Sequence, residues 1–361
     1  MTSVVGAVFL VVMAVRSRDA GQTSPLEVHR IPGRIAATAT VVVLVTVLVG
    51  VVIAAVLLGD AKLLLGDVTN WLTGRANQAI SFILDTRVPR VVAALLAGAA
   101  LALAGTLVQG VTRNPLADPG VLGVSSGAGL GAVLVVTLVP AASSWSVAGA
   151  AFAGATAAAL VVFGLAARGG FRQNRLVLVG VGVSSGLTAL ISLLIVVTDP
   201  FNATKALTWL SGSTYGRTWP DSFPVLVVLA AALVVVLTRT RELDLVSLDE
   251  DTPRLLGAPL ARTRLAFLAS SVLLTATAIA AVGTIGFVGL VAPHLARALV
   301  GRRHVRVVPV AVLLGALLVC LGDLLGRTVI APAQLGAGIL TAVVGTPYFI
   351  WLLLRVPRRA G

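Results

Sequence analysis

Long uncharged stretches alternate along this chain with short clusters of arginine, proline and polar residues. Ten apolar segments stand out, at residues 35–58, 91–111, 120–139, 147–167, 176–198, 222–237, 265–282, 283–300, 307–325 and 336–354. A helix of about 20 apolar residues crosses the hydrocarbon core of a bilayer, and most of these segments reach that length. The polar breaks carry turn and boundary signals: Thr112-Arg113-Asn114-Pro115 and Asp118-Pro119 after the second segment, and Arg302–Arg306 after the eighth. Residues 59–90 precede the second span, with a short interfacial helix expected at 79–84. Gly98, Gly105 and Gly110 would weaken a soluble helix. In a membrane helix, small residues let neighbouring backbones approach closely. The pattern predicts an all-α, polytopic membrane protein of about ten transmembrane helices.

Composition agrees. Only 11% of the 361 residues are charged, against roughly 25% in an ordinary soluble protein. Mean hydropathy is +1.03. The single cysteine, Cys320, lies in an apolar run and excludes an intrachain disulfide. At the start of the chain, the apolar run at 4–15 is too short to span comfortably, and its arginines, Arg16 and Arg18, follow rather than precede it. That order is the reverse of a signal peptide. Residues 1–34 therefore read as a non-spanning N-terminal extension, 35–357 as one transmembrane domain, and 358–361 as a tail.

The net charge of +13 would suggest nucleic acid in a soluble protein. Here the cations lie between apolar segments, so membrane orientation explains them and no nucleic-acid partner is expected. Lys62, Arg75, Arg87, Arg90, Lys205, Arg217 and Arg327 fall on one side, and the remaining 20 of 27 fall on the other. Positive residues concentrate on the cytoplasmic side, which predicts cytoplasmic termini.

Chemistry is sparse. The only lysines, Lys62 and Lys205, do not follow glycine, so the chain has no Gly-Lys-Ser/Thr phosphate loop. Energy from ATP, with its Mg2+, would have to act on a partner, and no cofactor is expected in the chain itself. A proton relay would need ionisable groups at mid-membrane. Asp118 and Asp199 read instead as span-end residues, and Asp323 as one of an i,i+4 pair with Arg327. GVSSG occurs at 123–127 and at 182–186, and formally fits the nucleophile motif of serine hydrolases, with His294 as the base. That elbow requires a preceding strand, which neither copy has, so the serines read as packing positions and His294 as structural. The spans hold no His, Cys or carboxylate cluster to bind a metal.

The loop 238–264 is the longest charged connection. Asp251-Thr252-Pro253 signals a helix start and Gly257 its end, a form suited to docking on a soluble subunit. Three ordered blocks extend the reading: RVPR…RNPLADP…GVSSGA at 87–128, GTIGFVGLVAPHLARALVG at 283–301, and LGAGILTAVVGTPYFIWLLLR at 335–355. Together they resemble the FecCD family of membrane permeases, which belong to ABC importers of ferric siderophores, haem and cobalamin. The resemblance implies a type II ABC importer permease fold in the bacterial inner membrane. Its expected partners are a second permease subunit, identical or paralogous, two ATPase subunits, an extracytoplasmic substrate-binding protein and the lipid bilayer.

The resemblance also assigns roles to residues. Leu248, Asp249, Glu250, Asp251, Thr252, Arg254, Leu255, Leu256 and Gly257 match the family's coupling helices, with Asp249 in place of the usual Gly and Pro253 in place of the usual Ala. Arg87, Arg90 and Arg327 match arginines that face the binding protein. The fifth helix lines the translocation path, which makes Ser184, Ser185 and Thr188 path candidates. Gln173 and Asn174 stand where a relative carries small gate hydroxyls, a departure from the family pattern. The WLSGSTYGRTW stretch looks like iron-siderophore members, so the expected cargo is a ferric siderophore, with cobalamin or haem as alternatives.

Overall fold

The computed structural model describes residues 34–59, 61–168, 173–248, 260–329 and 334–355. The expected N-terminal extension and the C-terminal tail lie outside them, apart from Arg34. Among the described residues the fold is 13 α-helices and one 3-10 turn, with no strand. In chain order the helices are α1 (Arg34–Leu57), α2 (Leu65–Leu72), α3 (Gln78–Thr112), α4 (Val124–Leu138), α5 (Ser144–Ala167), α6 (Gln173–Val197) and α7 (Pro200–Leu210). They continue as α8 (Trp219–Thr238), α9 (Thr240–Val246), α10 (Leu260–Val282), α11 (Val288–Val300), α12 (His304–Thr328) and α13 (Ala337–Arg355).

Each of the ten apolar segments coincides with one helix: α1, α3, α4, α5, α6, α8, α10, α11, α12 or α13. Seven are long and apolar enough to cross a membrane. The expected interfacial helix at 79–84 is instead the beginning of α3, which runs unbroken for 35 residues. Pro89 sits inside it without ending it. Packing against neighbouring helices makes such a proline tolerable within a membrane.

Helix α3 is the hub. It packs against α12, α10, α11 and α8. Its contact faces are built from alanine and glycine, and two crossings demand glycine outright. A Cβ on Gly98 would overlap the carbonyl of Gly315 in α12, and one on Gly105 would overlap that of Gly289 in α11. The α4–α5 crossing works the same way, with Gly127 against Gly154 and Gly131 against Ala150. These are the close backbone approaches that small residues permit in membranes. By contrast α1 packs mainly on α12, through Val51, Ala55, Leu317, Cys320 and Leu324.

Two helices are short because their spans open with irregular backbone. After α3, Arg113 adopts a left-handed conformation (φ 49°) and stops the helix. The Asn114 side chain then accepts from Leu116 N–H at 2.9 Å, and Asp118 accepts from Gly120 N–H at 2.7 Å, capping the 3-10 turn Pro119–Leu122. Gly123 (φ 79°) turns that segment into α4. This loop re-enters the bundle. A Cβ on Gly289 would lie 3.0 Å from Pro119 Cδ, 3.1 Å from Asp118 Oδ2 and 3.2 Å from the Leu101 carbonyl. Leu101 lies eleven residues before the end of α3, or about 16 Å along its axis. Residues 283–287 are likewise irregular and closely packed before α11: the Thr284 hydroxyl donates to the Leu210 carbonyl, a Cβ on Gly283 would lie 2.5 Å from the Trp209 carbonyl, and one on Gly345 would lie 2.5 Å from Phe287. Non-helical backbone at membrane depth is tolerated only where protein buries it or where it lines a cavity.

Candidate functional site

Helix α6 is the least covered of the long spans apart from α1; only 11% of its apolar window is buried. Where its uncovered side meets the re-entrant loop lies an open pocket of about 570 Å³, carrying hydroxyls and one carboxyl on a mainly apolar lining. Its walls are Asp118, Gly120, Ser126, Val181, Ser184, Ser185 and Thr188. The three path residues expected from sequence, Ser184, Ser185 and Thr188, are thus brought together in one place. Ser185 bonds back to the Val181 carbonyl at 2.9 Å, as a helical serine does. The Ser184 hydroxyl is buried and has no hydrogen-bond partner among the described residues. Sequence reasoning missed Asp118 and Ser126. The available signal was the pair of prolines at 115 and 119, which together with Gly120 and Gly123 mark a compact turn rather than a plain interhelical loop. Gln173 and Asn174 open α6, but their side chains lie outside the described residues.

The three arginines expected to face a binding protein are largely buried in this chain. Arg87, Arg90 and Arg327 are 8%, 7% and 3% exposed, and each is engaged internally. Arg87 donates to the carbonyls of Val56 (3.1 Å), Leu57 (3.3 Å) and Ala61 (2.7 Å). Arg327 donates to the Ala55 carbonyl. Ala55, Val56 and Leu57 hold the last carbonyls of α1, which have no partner within that helix, and cations favour that end of a helix dipole. Arg90 Nε meets Asp323 Oδ1 at 2.8 Å, and its Nη1 donates to Gln334 at 2.8 Å. Arg327 Nε is 3.7 Å from Asp323 Oδ2. The Thr214 hydroxyl also donates to Asp323, and Arg90 lies 5.5 Å from the ring centre of Tyr215, which is 65% exposed. The expected Asp323–Arg327 pair exists, but the nearer partner of Asp323 is Arg90. The cluster staples α1, α3, α12 and the α7–α8 connection at one end of the bundle.

At the opposite end of α12, His304 is buried at 4% exposure. Asp244 of α9 accepts from both its backbone N–H (2.9 Å) and its ring Nδ1 (2.6 Å). Burial alone would raise the Asp244 carboxyl, but the two His304 bonds and the nearby Arg303 hold it below its ordinary value. Leu248 is exposed, and its carbonyl accepts from Arg113 at 3.4 Å. The rest of the expected coupling segment, from Asp249 to Gly257, lies outside the described residues.

The two GVSSG copies are helical: Ser125 and Ser126 lie in α4, Ser184 and Ser185 in α6. Among the described residues no strand precedes either copy. His294 packs edge-on against Tyr348 with ring centres 5.9 Å apart. Nothing here supports a serine hydrolase.

The chain belongs to the FecCD transport family, which it matches over residues 38–355. It is 38% identical to the Fe(3+) dicitrate transport system permease FecD of Escherichia coli over 80% of this chain and 89% of that protein. To the hemin transport system permease HmuU of Yersinia pestis it is 36% identical, over 80% and 87%. Among solved structures, it matches a metal-chelate-type ABC transporter in an inward-facing conformation. That match has a TM-score of 0.77 and 30% identity, and covers 89% of this chain and all of the other.

Proposed function

We propose that this chain is the membrane permease of a binding-protein-dependent importer that carries a ferric siderophore across the bacterial inner membrane, driven by ATP and Mg2+ on partner ATPase subunits. One observation carries the reading: the FecCD match, over residues 38–355, takes in nine of the ten spans and most of the first. The cargoes for which its relatives are named (dicitrate-bound iron, iron hydroxamates, hemin) favour an iron chelate. In this reading two permease copies, or this chain and a paralogue, face each other across the uncovered side of α6. The chelate passes along the cavity of Asp118, Ser126, Ser184, Ser185 and Thr188. Residues 248–257 dock on the ATPase, and both termini are cytoplasmic. The docking role of Arg87, Arg90 and Arg327 takes an indirect form: by locking α1, α3 and α12 they hold the shape of the face that receives the binding protein, while Tyr215 and Arg75 stand exposed on that side.

A deletion strain supplied with labelled ferric siderophores, hemin and cobalamin tests the cargo. The expected result is loss of ferric siderophore uptake alone, restored by this chain. Loss of hemin or cobalamin uptake alone would assign the same architecture to that cargo instead.

A further inference from the structure

The two polar joints on α12 lie at its opposite ends. His304 is its first residue, and Asp323 and Arg327 sit in its last two turns. The helix between them is continuous for 25 residues, a length of about 37 Å. At the His304 end the helix lacks a cap of its own: the residue before it, Arg303, makes no side-chain cap bond. The free N–H of His304 is taken instead by Asp244, which belongs to a different helix. An ionised carboxylate only accepts, so the second bond places a proton on His304 Nδ1.

The surroundings make this contact a joint rather than a surface pair. Helix α9 buries Thr240, Leu243 and Val246. It sits over Gly110 of α3, where an added Cβ would come within 3.0 Å of Leu243 Cδ1, 3.1 Å of Ser247 Oγ and 3.3 Å of His304 Nε2. The imidazole is therefore wedged between α9 and α3 and bonded to α9. Only two residues separate the last residue of α9 from Asp249, the start of the segment outside the described residues.

We propose that the Asp244–His304 pair is the joint through which movement at the ATPase-docking segment reaches α12, and that α12 carries it to the Arg90–Asp323–Arg327 cluster at the far end. The proposal rests on the reading of residues 248–257 as the ATPase dock. His304 and Asp244 are positioning residues: they touch neither cargo nor nucleotide. A rigid helix gripped at both ends is the kind of element that has two discrete placements and can be biased from either site.

The test uses the whole transporter, with its ATPase and binding protein, in proteoliposomes. Basal ATP hydrolysis, hydrolysis stimulated by cargo-loaded binding protein, and uptake are compared among variants. Asp244→Asn and His304→Gln should keep subunit assembly and basal hydrolysis, while the stimulated increment and uptake fall about fivefold or more. The exchanged pair, Asp244→His with His304→Asp, should recover a substantial part of both.

Unchanged stimulation in the two single variants overturns the proposal. So does loss of basal hydrolysis and assembly in step with stimulation, which would make the pair a plain structural cap, and so does failure of the exchange to rescue. A Leu255→Asp variant separates the underlying reading. If it leaves ATPase co-purification and hydrolysis intact, the docking assignment fails whatever the joint does. If it abolishes co-purification while Asp244→Asn leaves stimulation untouched, the dock stands and the joint falls.

Discussion

Helices α3 and α6 have similar apolar character and opposite surroundings. Their mean hydropathies are 2.4 and 2.1, yet 83% of the α3 window is buried in this chain and only 11% of the α6 window. Hydropathy reports that a segment leaves water; it is silent on whether lipid, a neighbouring helix or a second subunit receives it. The sizes of the side chains and the positions of glycine carry that second message. In α3, Gly98 and Gly105 fall where another backbone passes. In α6, a Cβ on Gly182 or Gly186 would meet nothing within 4 Å. One helix is packed to its limit inside the subunit, and the other is left largely uncovered by it.

The sharpest way to break this comparison is to make the same substitution in both helices. Gly105→Leu drives a side chain into the Gly289 backbone, and overpacking of a helix crossing costs about 1–3 kcal/mol or more. We expect no folded monomer by size-exclusion chromatography. Gly182→Leu should purify as wild type. Equal behaviour of the two would overturn the contrast.

Next in size is Asp323→Ala. It leaves Arg90 and Arg327 buried without their carboxylate, and removal of one partner from a buried ion pair costs about 3–5 kcal/mol. Thermal unfolding in detergent should shift down by many degrees, and a wild-type transition would show that the α3–α12 junction does not rely on the cluster.

The open side of α6 should respond differently. Ser184→Leu with Thr188→Leu fills the cavity without touching the hub, so stability should change by no more than about 0.5 kcal/mol while uptake falls several-fold. A loss of stability with uptake intact would move both residues from the path to the core.

The smallest effect concerns acidity. The folded Asp244 carboxyl lies below its ordinary value of 3.8, so its stabilising effect is complete above that value and is lost as pH falls through the folded pKa. Wild type should therefore be slightly more stable than Asp244→Asn at pH 7, with the gap closing as the medium is acidified below about 4. A gap that grows on acidification contradicts the sign.

The same contrast explains what was legible beforehand. Ten segments could be located because a span needs only a run of apolar residues, and all ten are helices. The first span was placed to within one residue at each end. The re-entrant starts of α4 and α11 were not legible, because Gly120–Gly123 and Gly283–Phe287 are themselves small or apolar enough to blend into the span that follows. Nor was the direction of the arginines. Their residue types and side of the bundle were visible, but Arg87 and Arg327 donate to main-chain carbonyls at and just after the end of α1, and any residue type supplies a carbonyl. Asp323 was paired with Arg327 from spacing alone; Arg90, more than 200 positions away, could be found as its nearer partner only in three dimensions.

The capped end of α1 has a consequence for biogenesis. Arg87 is synthesised about 30 residues after the carbonyls it caps, whereas Arg327 follows the Ala55 carbonyl by 272 residues. At about 5–20 residues per second, roughly ten to fifty seconds separate the two arginines as they leave the ribosome. The helix on which α1 mainly rests, α12, is equally late. The lateral docking of α1 on α12 must therefore follow the synthesis of most of the chain.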